Sequence, residues 1–296
     1  MNASPKHILF LARWYPHQND PMFGLFVKKH AEAVSRKNKV SVLYVQGIRP
    51  DEDLPSNQRI DSPNLFTLIY YYHNSKLKLW NLIRYWFYIL KGYHYINKVQ
   101  GLPQVVHVHI LTRLGLFAWL LKLTYNIPYV ITEHWSRYHK IPGTYNGWAR
   151  KKLSRFIVKH AHAILPVSKN LEEAMKSHGL KNRNYQIIPN AVDDLFFNLP
   201  QTKKESEKTI FLHVSTFEDR SKNISGLLRV IKNLAYQEEN FEFWMVGEGI
   251  DFQSLQDYAI SINILSEQVQ FFGLRQGKSL AELYYKANYL ILFSNF

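Results

Sequence analysis

The sequence predicts an α/β protein made of two doubly wound domains. Short apolar runs of strand length alternate with helical patterns along most of the 296 residues, which is typical of parallel sheets covered by helices. The length favours two domains over one. A polar, charged stretch from Leu199 to Glu207 separates two such alternating segments. We therefore expect a first domain at residues 1–200 and a second at 201–296.

The composition excludes several classes of protein. With 46% hydrophobic and 20% charged residues, the chain is globular rather than disordered. Because there is no cysteine, disulfides, thiolate catalysis and cysteine metal sites are excluded. The first apolar run, Ile8 to Ala12, is too short for the core of a signal peptide, and no later run is long enough to span a membrane. We expect a cytoplasmic protein.

The net charge of +14 is unevenly distributed. Residues 1–200 contain 27 Lys and Arg against 11 Asp and Glu, a net charge of +16, whereas residues 201–296 contain 10 against 12, a net charge of −2. This imbalance predicts an anionic partner for the first domain, either a membrane surface or nucleic acid. No nucleic-acid-binding motif accompanies it, so we expect no nucleic acid. A purely solubilising role is the alternative.

The first domain opens with a strand, a loop, a helix and a second strand. The strand Ile8–Leu11 leads into a turn-rich loop, and a helical pattern starts near Gly24. The apolar run Val40–Val45 predicts the next strand. Residues 46–64 are polar and contain proline, which predicts a surface loop.

An aromatic-rich segment, Leu65 to Val99, follows and contains a helical pattern from Leu79 onward. One face of that helix is predicted to carry Leu82, Ile83, Trp86 and Leu90. The other is predicted to carry Lys78, Asn81, Tyr85, Tyr88, Lys91, Tyr95 and Lys98. A basic face with aromatic residues suits a helix lying on anionic lipid. An ordinary helix facing the core, with lysines at its solvated edge, is an equal alternative.

Histidines mark two later strands of the first domain. His107 and His109 lie on one side of the strand Val105–Ile110, but two imidazoles need a third ligand to hold a metal, and none is evident. His134 ends the next buried strand, after the helix Leu114–Tyr125. Since α/β folds place ligand-binding groups at strand ends, we single out His134; a structural histidine is the alternative.

A β-α-β unit opens the second domain. The strand Ile210–Val214 and the strand Phe241–Val246 flank an amphipathic helix that begins near Ile224. Arg220 and Lys222 lie just before this helix. Two cations beside the positive end of a helix suit a diphosphate, and a solvated basic loop is the alternative.

The second strand of this unit ends in a glycine-rich turn. Gly247 and Gly249 flank Glu248 there. Because glycine has no side chain, the backbone at these two positions can approach a ligand closely. The β-α-β unit therefore presents two candidate ligand-binding loops at the carboxyl ends of its strands.

The stretch V-S-T-F-E-D-R-S-K-N, the helix and M-V-G-E-G resemble the donor half of GT-B-fold glycosyltransferases, the retaining group called family 4. The resemblance implies a phosphate-binding role for Lys222 and for the glycines Gly247 and Gly249. Thr216 stands where the family has an arginine, and Arg220 would supply that charge. Gly273 and Leu274, in F-G-L-R, would shape the nucleobase pocket.

The first domain resembles the same family. Phe23-Gly24 stands in the place of a glycine pair near which donor phosphate lies, so Gly24 is implied in donor binding. The His-x-His strand matches, and T-E-H places His134 on a histidine that contacts the acceptor or the donor sugar, which makes it our catalytic candidate. I-P-N-A-V-D at Ile188–Asp193 resembles the segment that leads into the interdomain linker.

The resemblance implies a GT-B fold, two Rossmann-like doubly wound domains with the second incomplete, and a donor in the cleft facing that domain. It implies transfer of a sugar, with retention, from a UDP- or GDP-linked donor to a lipid-linked or anionic polysaccharide acceptor. No cofactor and no obligatory metal are expected. Such an enzyme of polysaccharide biosynthesis would be cytoplasmic or peripheral on the inner face of the cell membrane.

Two glutamates of the family fall beyond Phe296, which implies a truncated form of a longer enzyme. A non-catalytic relative that keeps only membrane binding is one alternative. Another nucleotide-binding α/β enzyme, such as a dehydrogenase, is a second. A dehydrogenase needs G-x-G-x-x-G after its first strand, and this loop contains only Gly24, which argues against it.

Overall fold

The computed structural model describes residues 4–111, 113–139, 145–198, 208–237, 240–264 and 268–295. The chain forms two compact units, Met1–Ala191 and Val192–Phe296. The division lies nine residues before the boundary expected at 200, which falls in a stretch outside the described ranges. The segment after Ala191 belongs to the second unit because Phe196 packs on Tyr284, with ring centroids 5.9 Å apart.

A seven-stranded sheet organises the first unit. Its strands are β1 (His7–Ala12), β2 (Lys39–Ile48), β3 (Asn57–Ser62), β4 (Leu65–His73), β5 (Val105–His109), β6 (Tyr129–Glu133) and β7 (Ala163–Pro166). The spatial order is β3-β4-β2-β1-β5-β6-β7, and every pair is parallel except β3–β4. The helices are α1 (Leu25–Ser35), α2 (Lys78–Gln100), α3 (Leu114–Tyr125), α4 (Trp148–His160) and α5 (Lys169–Ser177), with a short 3-10 turn at Ser136–Tyr138.

The central strand β1 is buried on both faces. Leu9 and Leu11 point into one hydrophobic core, and Phe10 points into the other. Alternation of side chains along a strand produces this division, and helices cover each face. The doubly wound α/β architecture expected from the sequence is confirmed.

The predicted surface loop at residues 46–64 contains a strand that the sequence did not indicate. β3 pairs antiparallel with β4 through the register Asn57↔Tyr70 to Ser62↔Leu65. Its residues are polar apart from Ile60 and mostly exposed, and it has one neighbour at the edge of the sheet. A polar edge strand buries too little apolar surface to produce a hydrophobic pattern.

The predicted faces of α2 are wrong. The side that packs on β2 and β4 carries Tyr85, Ile89 and Tyr93, whereas Ile83 and Leu90 are 47% and 55% exposed. Apolar and aromatic residues occur on almost every side of this helix, so a 3.6-residue period does not identify the buried face. α2 therefore has an apolar face on the sheet and a second apolar face toward solvent.

The second unit contains a parallel four-stranded sheet. Its elements are the 3-10 turn Asp194–Phe196, β8 (Thr209–Val214), α6 (Asp219–Lys222), α7 (Ile224–Ala235), β9 (Phe241–Val246), α8 (Phe252–Ser261), β10 (Val269–Gly273), α9 (Gly277–Lys286) and β11 (Tyr289–Leu290). The order is β10-β9-β8-β11. β11 is only two residues long, although Ile291 N–H still donates to Leu212 O at 2.8 Å. In the described ranges no helix is long and apolar enough to cross a membrane.

Candidate active site

The carboxyl ends of β1, β5 and β6 lie side by side in the first unit. Ala12 is in register with His109, and His109 is in register with Thr132. The loops after these strands therefore leave from one edge of the sheet, the edge at which α/β proteins bind ligands. His134 is the first residue after β6, so its predicted position at a strand end is correct.

Four imidazole rings gather at this edge. The centroids of His107 and His109 are 4.2 Å apart, those of His109 and His134 are 5.6 Å apart, and His30 lies 5.3 Å from His134. Within the ranges that the structure describes, no group of three or more His, Asp or Glu is arranged to hold a metal ion. The cluster is held instead by hydrogen bonds.

Burial keeps these imidazoles neutral. Burial, together with the neighbouring His30, lowers the pKa of His107 and of His134 to about 3, while the hydrogen bond to Asn190 opposes the shift for His134. Burial also lowers the pKa of His109 well below its ordinary value. A positive charge within the cluster would be desolvated and close to other imidazoles, so the neutral forms prevail at neutral pH.

Hydrogen bonds fix the tautomer of His134. The Asn190 side-chain oxygen can only accept, so His134 Nδ1–H donates to it at 3.1 Å, and His30 Nε2–H donates to the same oxygen at 3.3 Å. His134 Nε2 then accepts from His109 Nδ1–H at 3.3 Å. Both ring nitrogens of His134 are occupied, which suits a neutral positioning role better than proton transfer.

Glu133 was not singled out from the sequence, yet it ties the loops of this edge together. Its buried carboxylate accepts from the backbone N–H of Leu111 at 2.9 Å, of His134 at 3.0 Å and of Trp135 at 2.9 Å, and from the Tyr138 hydroxyl at 3.2 Å. Burial raises its pKa and the four hydrogen bonds lower it, with a net rise. The only sequence signal is an acidic residue ending an apolar strand.

Two backbone positions at this edge have positive φ. Ile110 is buried with φ +72°, a conformation that a β-branched residue rarely adopts, and its N–H donates to Thr132 O at 2.8 Å. Gly24, predicted to contact donor phosphate, has φ +67°, and a Cβ there would lie 2.5 Å from the backbone of Trp14. Gly24 thus permits close packing of the start of α1 on the loop after β1.

In the second unit, the glycines bring three loops together. Gly247 has φ +141°, and a Cβ there would lie 1.9 Å from Ser215 O; a Cβ at Gly249 would lie 2.3 Å from Phe217 O. Gly247 N–H donates to Gly273 O at 3.0 Å. Gly247 and Gly249 therefore accommodate the neighbouring loop, whereas the expectation from the sequence was that they make room for a ligand.

Gly273 and the other predicted residues of this edge are less constrained. Gly273 has φ +64° with open space around its Cβ position, and the half-buried Leu274 follows it at the end of β10. Thr216 is exposed in the loop after β8. All three lie in the loops joined by Gly247, so the structure brings them to one edge.

The two predicted cations lie in the short helix α6, not in a loop. Lys222 is half-buried and Arg220 is exposed. Burial lowers the pKa of His213, the hydrogen bond to Ile291 O raises it and Lys222 lowers it further, so Lys222 lies close to that imidazole. His213 Nδ1–H donates to Ile291 O at 2.9 Å, and its Nε2 accepts from the Ser215 hydroxyl at 2.7 Å.

The expected free N-terminus of α7 is already occupied at Ser225. Its N–H donates to Asp219 Oδ1 at 2.7 Å, and its hydroxyl donates to Asp219 Oδ2 at 2.7 Å. A carboxylate therefore occupies the position that the sequence assigned to a diphosphate. Lys222 remains, and among the described residues no carboxylate forms an ion pair with it.

Solved structures share this fold. Sucrose-phosphate synthase from Thermosynechococcus elongatus is 18% identical, with a TM-score of 0.68 over 98% of this chain and 76% of that chain. A lipopolysaccharide outer core galactosyltransferase, WaaB, is 15% identical, with a TM-score of 0.56 over 97% and 74%. The E. coli trehalose-6-phosphate structure bound with UDP-2-fluoro glucose is 11% identical, with a TM-score of 0.61 over 97% and 78%. No curated sequence matches.

Family models identify both units. The model described as Glycosyl transferases group 1 matches residues 196–296, and the model described as Glycosyltransferase Family 4 matches residues 26–194, more than half of the chain. The two matches meet close to the division between the compact units. With the α/β fold, they show that the protein is a glycosyltransferase. The chain belongs to Glycosyltransferase Family 4.

Proposed function

We propose that this glycosyltransferase moves a sugar, with retention, from a UDP- or GDP-linked donor to a hydroxyl of a lipid-linked or polysaccharide acceptor. The acceptor oxygen bonds to the anomeric carbon, and the bond from that carbon to the diphosphate breaks. The hydroxyl proton leaves with the nucleoside diphosphate. The resemblance to family 4 supports retention, and a neighbour bound with UDP-2-fluoro glucose supports a UDP-linked donor.

The observation that carries the proposal is the environment of Lys222. Lys222 is a half-buried residue of α6, which follows β8 at the carboxyl edge of the second sheet, and its positive charge lowers the pKa of His213. Loops held by Gly247 and Gly249 form the same edge, so their backbone N–H groups are fixed in place. A cation at this edge of the sheet stabilises the charge that develops on a departing diphosphate. Arg220 is a second cation in the same short helix.

The first unit supplies the acceptor side in this proposal. His134, held neutral, positions the sugar or the acceptor, and no base with a neutral-range pKa is needed because the diphosphate itself takes the proton. The excess of basic residues in the first unit supports an anionic acceptor at the inner face of a membrane. The likeness to a lipopolysaccharide galactosyltransferase supports the same acceptor class.

The experiment is calorimetry of UDP and GDP with Lys222→Ala. We expect binding of the nucleotide to weaken by about 1.5–3 kcal/mol, the value of a charge-assisted hydrogen bond. Lys232→Ala is the matched control, because Lys232 is also a half-buried lysine of the second unit, in the last turn of α7. Equal affinities of the wild-type protein and Lys222→Ala would remove the proposed donor site.

A further inference from the structure

The outward face of α2 carries a continuous apolar stripe. Its members are Leu79, Trp80, Ile83, Phe87 and Leu90, which are 47% to 70% exposed. At about 100° per residue they fall within an arc of roughly 100°, opposite the face that packs on the sheet, and extend about 17 Å along the helix. An exposed stripe of this size indicates a binding surface rather than scattered surface residues.

Cations lie beside this stripe. Arg84, Lys91 and Lys98 occupy the adjoining arc, and the Lys91 ammonium lies 5.9 Å from the ring centroid of Phe87. The sequence contains no Asp or Glu between Asp61 and Glu133. An apolar stripe bordered by cations, on a segment without carboxylates, has the composition of a helix that lies in the interface of an anionic bilayer.

A cavity of about 320 Å³ opens where α2 begins. It is lined by Arg13, Tyr72, Lys78, Asn81, Leu82, Tyr85 and Arg113. Arg13 follows β1, and Arg113 follows the end of β5, so the cavity lies at the carboxyl edge that carries His134. The other side of the cavity is the first two turns of α2, where the apolar stripe starts.

The chemistry of the cavity fits a phosphate. Among the residues that the structure describes, no carboxylate forms an ion pair with Arg13, Lys78 or Arg113. Burial raises the pKa of Tyr85 to about 12 and also raises that of Tyr72, while the two guanidinium groups oppose both shifts. Three cations and two protonated phenols are hydrogen-bond donors, and phosphate oxygens accept such bonds.

We propose that the acceptor is a sugar carried on a lipid phosphate or diphosphate: the phosphate binds Arg13, Lys78 and Arg113, a hydroxyl of the carried sugar receives the transferred sugar, and the α2 stripe inserts into the bilayer that holds the hydrocarbon of the lipid. This inference rests on the proposed function and names its acceptor class. The cavity and the stripe both begin at the first turns of α2, the cavity on the side of Tyr85 and the stripe on the outward side. The stripe brings the enzyme to the membrane, and the cavity selects the phosphate within it.

The stripe is tested with the full chain and the triple variant Ile83→Ser, Phe87→Ser, Leu90→Ser in vesicle sedimentation. We expect the variant to lose roughly 100-fold in binding to vesicles containing phosphatidylglycerol, because each inserted side chain contributes several-fold. The matched control is Leu120→Ser, Leu123→Ser, Leu153→Ser, since these leucines are also exposed on helices of the first unit. Circular dichroism verifies that both variants are folded.

The cavity is tested by calorimetry with farnesyl phosphate, farnesol and inorganic pyrophosphate. In Lys78→Gln, Arg113→Gln we expect farnesyl phosphate and pyrophosphate to bind roughly 10-fold more weakly or worse, with farnesol unaffected. Arg150→Gln, Lys152→Gln removes the same charge from exposed positions of α4 and is the control. A stripe variant that still binds pyrophosphate but not vesicles would separate the head-group site from the membrane surface, as the proposal requires.

Specific outcomes would overturn the inference. Equal binding of farnesyl phosphate by the wild-type protein and the cavity variant would exclude the head-group site. Binding of pyrophosphate without any preference for farnesyl phosphate-containing vesicles over phosphatidylglycerol vesicles would show a soluble phosphate site, not a lipid one. Donor binding, measured with UDP and Lys222→Ala, does not depend on the stripe or on the cavity. If the protein bound UDP through Lys222 but bound no lipid phosphate, the proposed function would stand and only the acceptor named here would be wrong.

Discussion

The two sheets of this protein end in edges of opposite chemistry. The edge of the first unit is built from side chains, namely neutral imidazoles held by Asn190 and a buried Glu133 that fixes two loops. The edge of the second unit is built from backbone, because Gly247 and Gly249 allow three loops to touch. Twelve of the thirteen histidines belong to the first unit, and the second contains only His213.

In the function proposed above, this difference would let one topology serve two kinds of ligand. Neutral side chains at fixed positions discriminate between hydroxyl groups, which differ only in position on a sugar ring. In the proposed function Lys222 contacts a diphosphate, whose charge is the same whatever the sugar attached to it. The first edge is suited to selecting an acceptor, and the second is suited to holding a donor.

The largest effect that tests this comparison is expected at Gly247. Gly247→Ala places a Cβ 1.9 Å from Ser215 O at a φ of +141°, so the loops must separate. We expect the free energy of unfolding of the second unit to fall by about 3 kcal/mol or more. Denaturant unfolding followed by the fluorescence of Trp244, the only tryptophan after residue 191, measures it.

Gly273→Ala is the matched control for that experiment. Gly273 also has positive φ, +64°, but a Cβ there meets no atom within 4 Å. Gly273→Ala should therefore lower the free energy of unfolding only by the strain of the left-handed conformation, about 1–2 kcal/mol. If both alanine variants lost the same stability, close packing of the loops would not be the reason for Gly247.

A second prediction concerns acid sensitivity. His107 has a pKa near 6.5 when unfolded and about 3 when folded, so between these values the unfolded chain binds a proton that the folded chain does not. Stability conferred by the neutral imidazole is complete above about pH 6.5 and decreases as the pH falls. Lowering the pH to about 5 should cost about 2 kcal/mol for this histidine alone.

The measurement compares urea unfolding of the wild-type protein and His107→Gln across this pH range. As the pH falls, the free energy of unfolding of the wild-type protein should decrease by about 1.4 kcal/mol per pH unit more than that of the variant. His94→Gln changes an exposed histidine of α2 and is the control. Identical pH dependence in the wild-type protein and His107→Gln would contradict the neutral cluster.

The smallest expected effect is at Asn190. Asn190→Ala removes one acceptor shared by His30 and His134, which should lower the free energy of unfolding by about 1 kcal/mol. His134 is then no longer restricted to the Nδ1–H tautomer. Nitrogen NMR of the imidazole should show a pure Nδ1–H form in the wild-type protein and a mixture in the variant. Asn170→Ala, an exposed residue of α5, should leave the His134 signals unchanged, and a mixture already present in the wild-type protein would refute the assignment.

The sequence predicts the bounds of helices and strands well where apolar residues form a clear run between polar turns. The predicted bounds Leu114–Tyr125 of α3 and Phe241–Val246 of β9 are those observed, because apolar runs between polar turns leave few alternatives. The polar edge strand Asn57–Ser62 has no such run and was missed. The buried face of α2 was assigned incorrectly because its aromatic and apolar residues surround the helix.

The candidate site is predictable in position but not in its hydrogen bonds. His134 could be placed at a strand end, whereas its partner Asn190 lies 56 residues later. Asp219 was passed over as part of a charged loop, yet it caps α7 and excludes an anion from Ser225. Contacts between distant residues depend on the packed structure, which hydrophobic periodicity does not encode.

The central position of β1 has a consequence for how the chain is made. One edge of β1 pairs with β2, which is synthesised shortly after β1. The other edge pairs with β5, which begins only at Val105. At a synthesis rate of 5–20 residues per second, the 56 residues between Ile48 and Val105 take roughly 3–11 s. During that interval an apolar strand edge remains unpaired, so association with other nascent chains competes with folding. Codon-dependent pauses before β5 would lengthen that interval and reduce the yield of native protein.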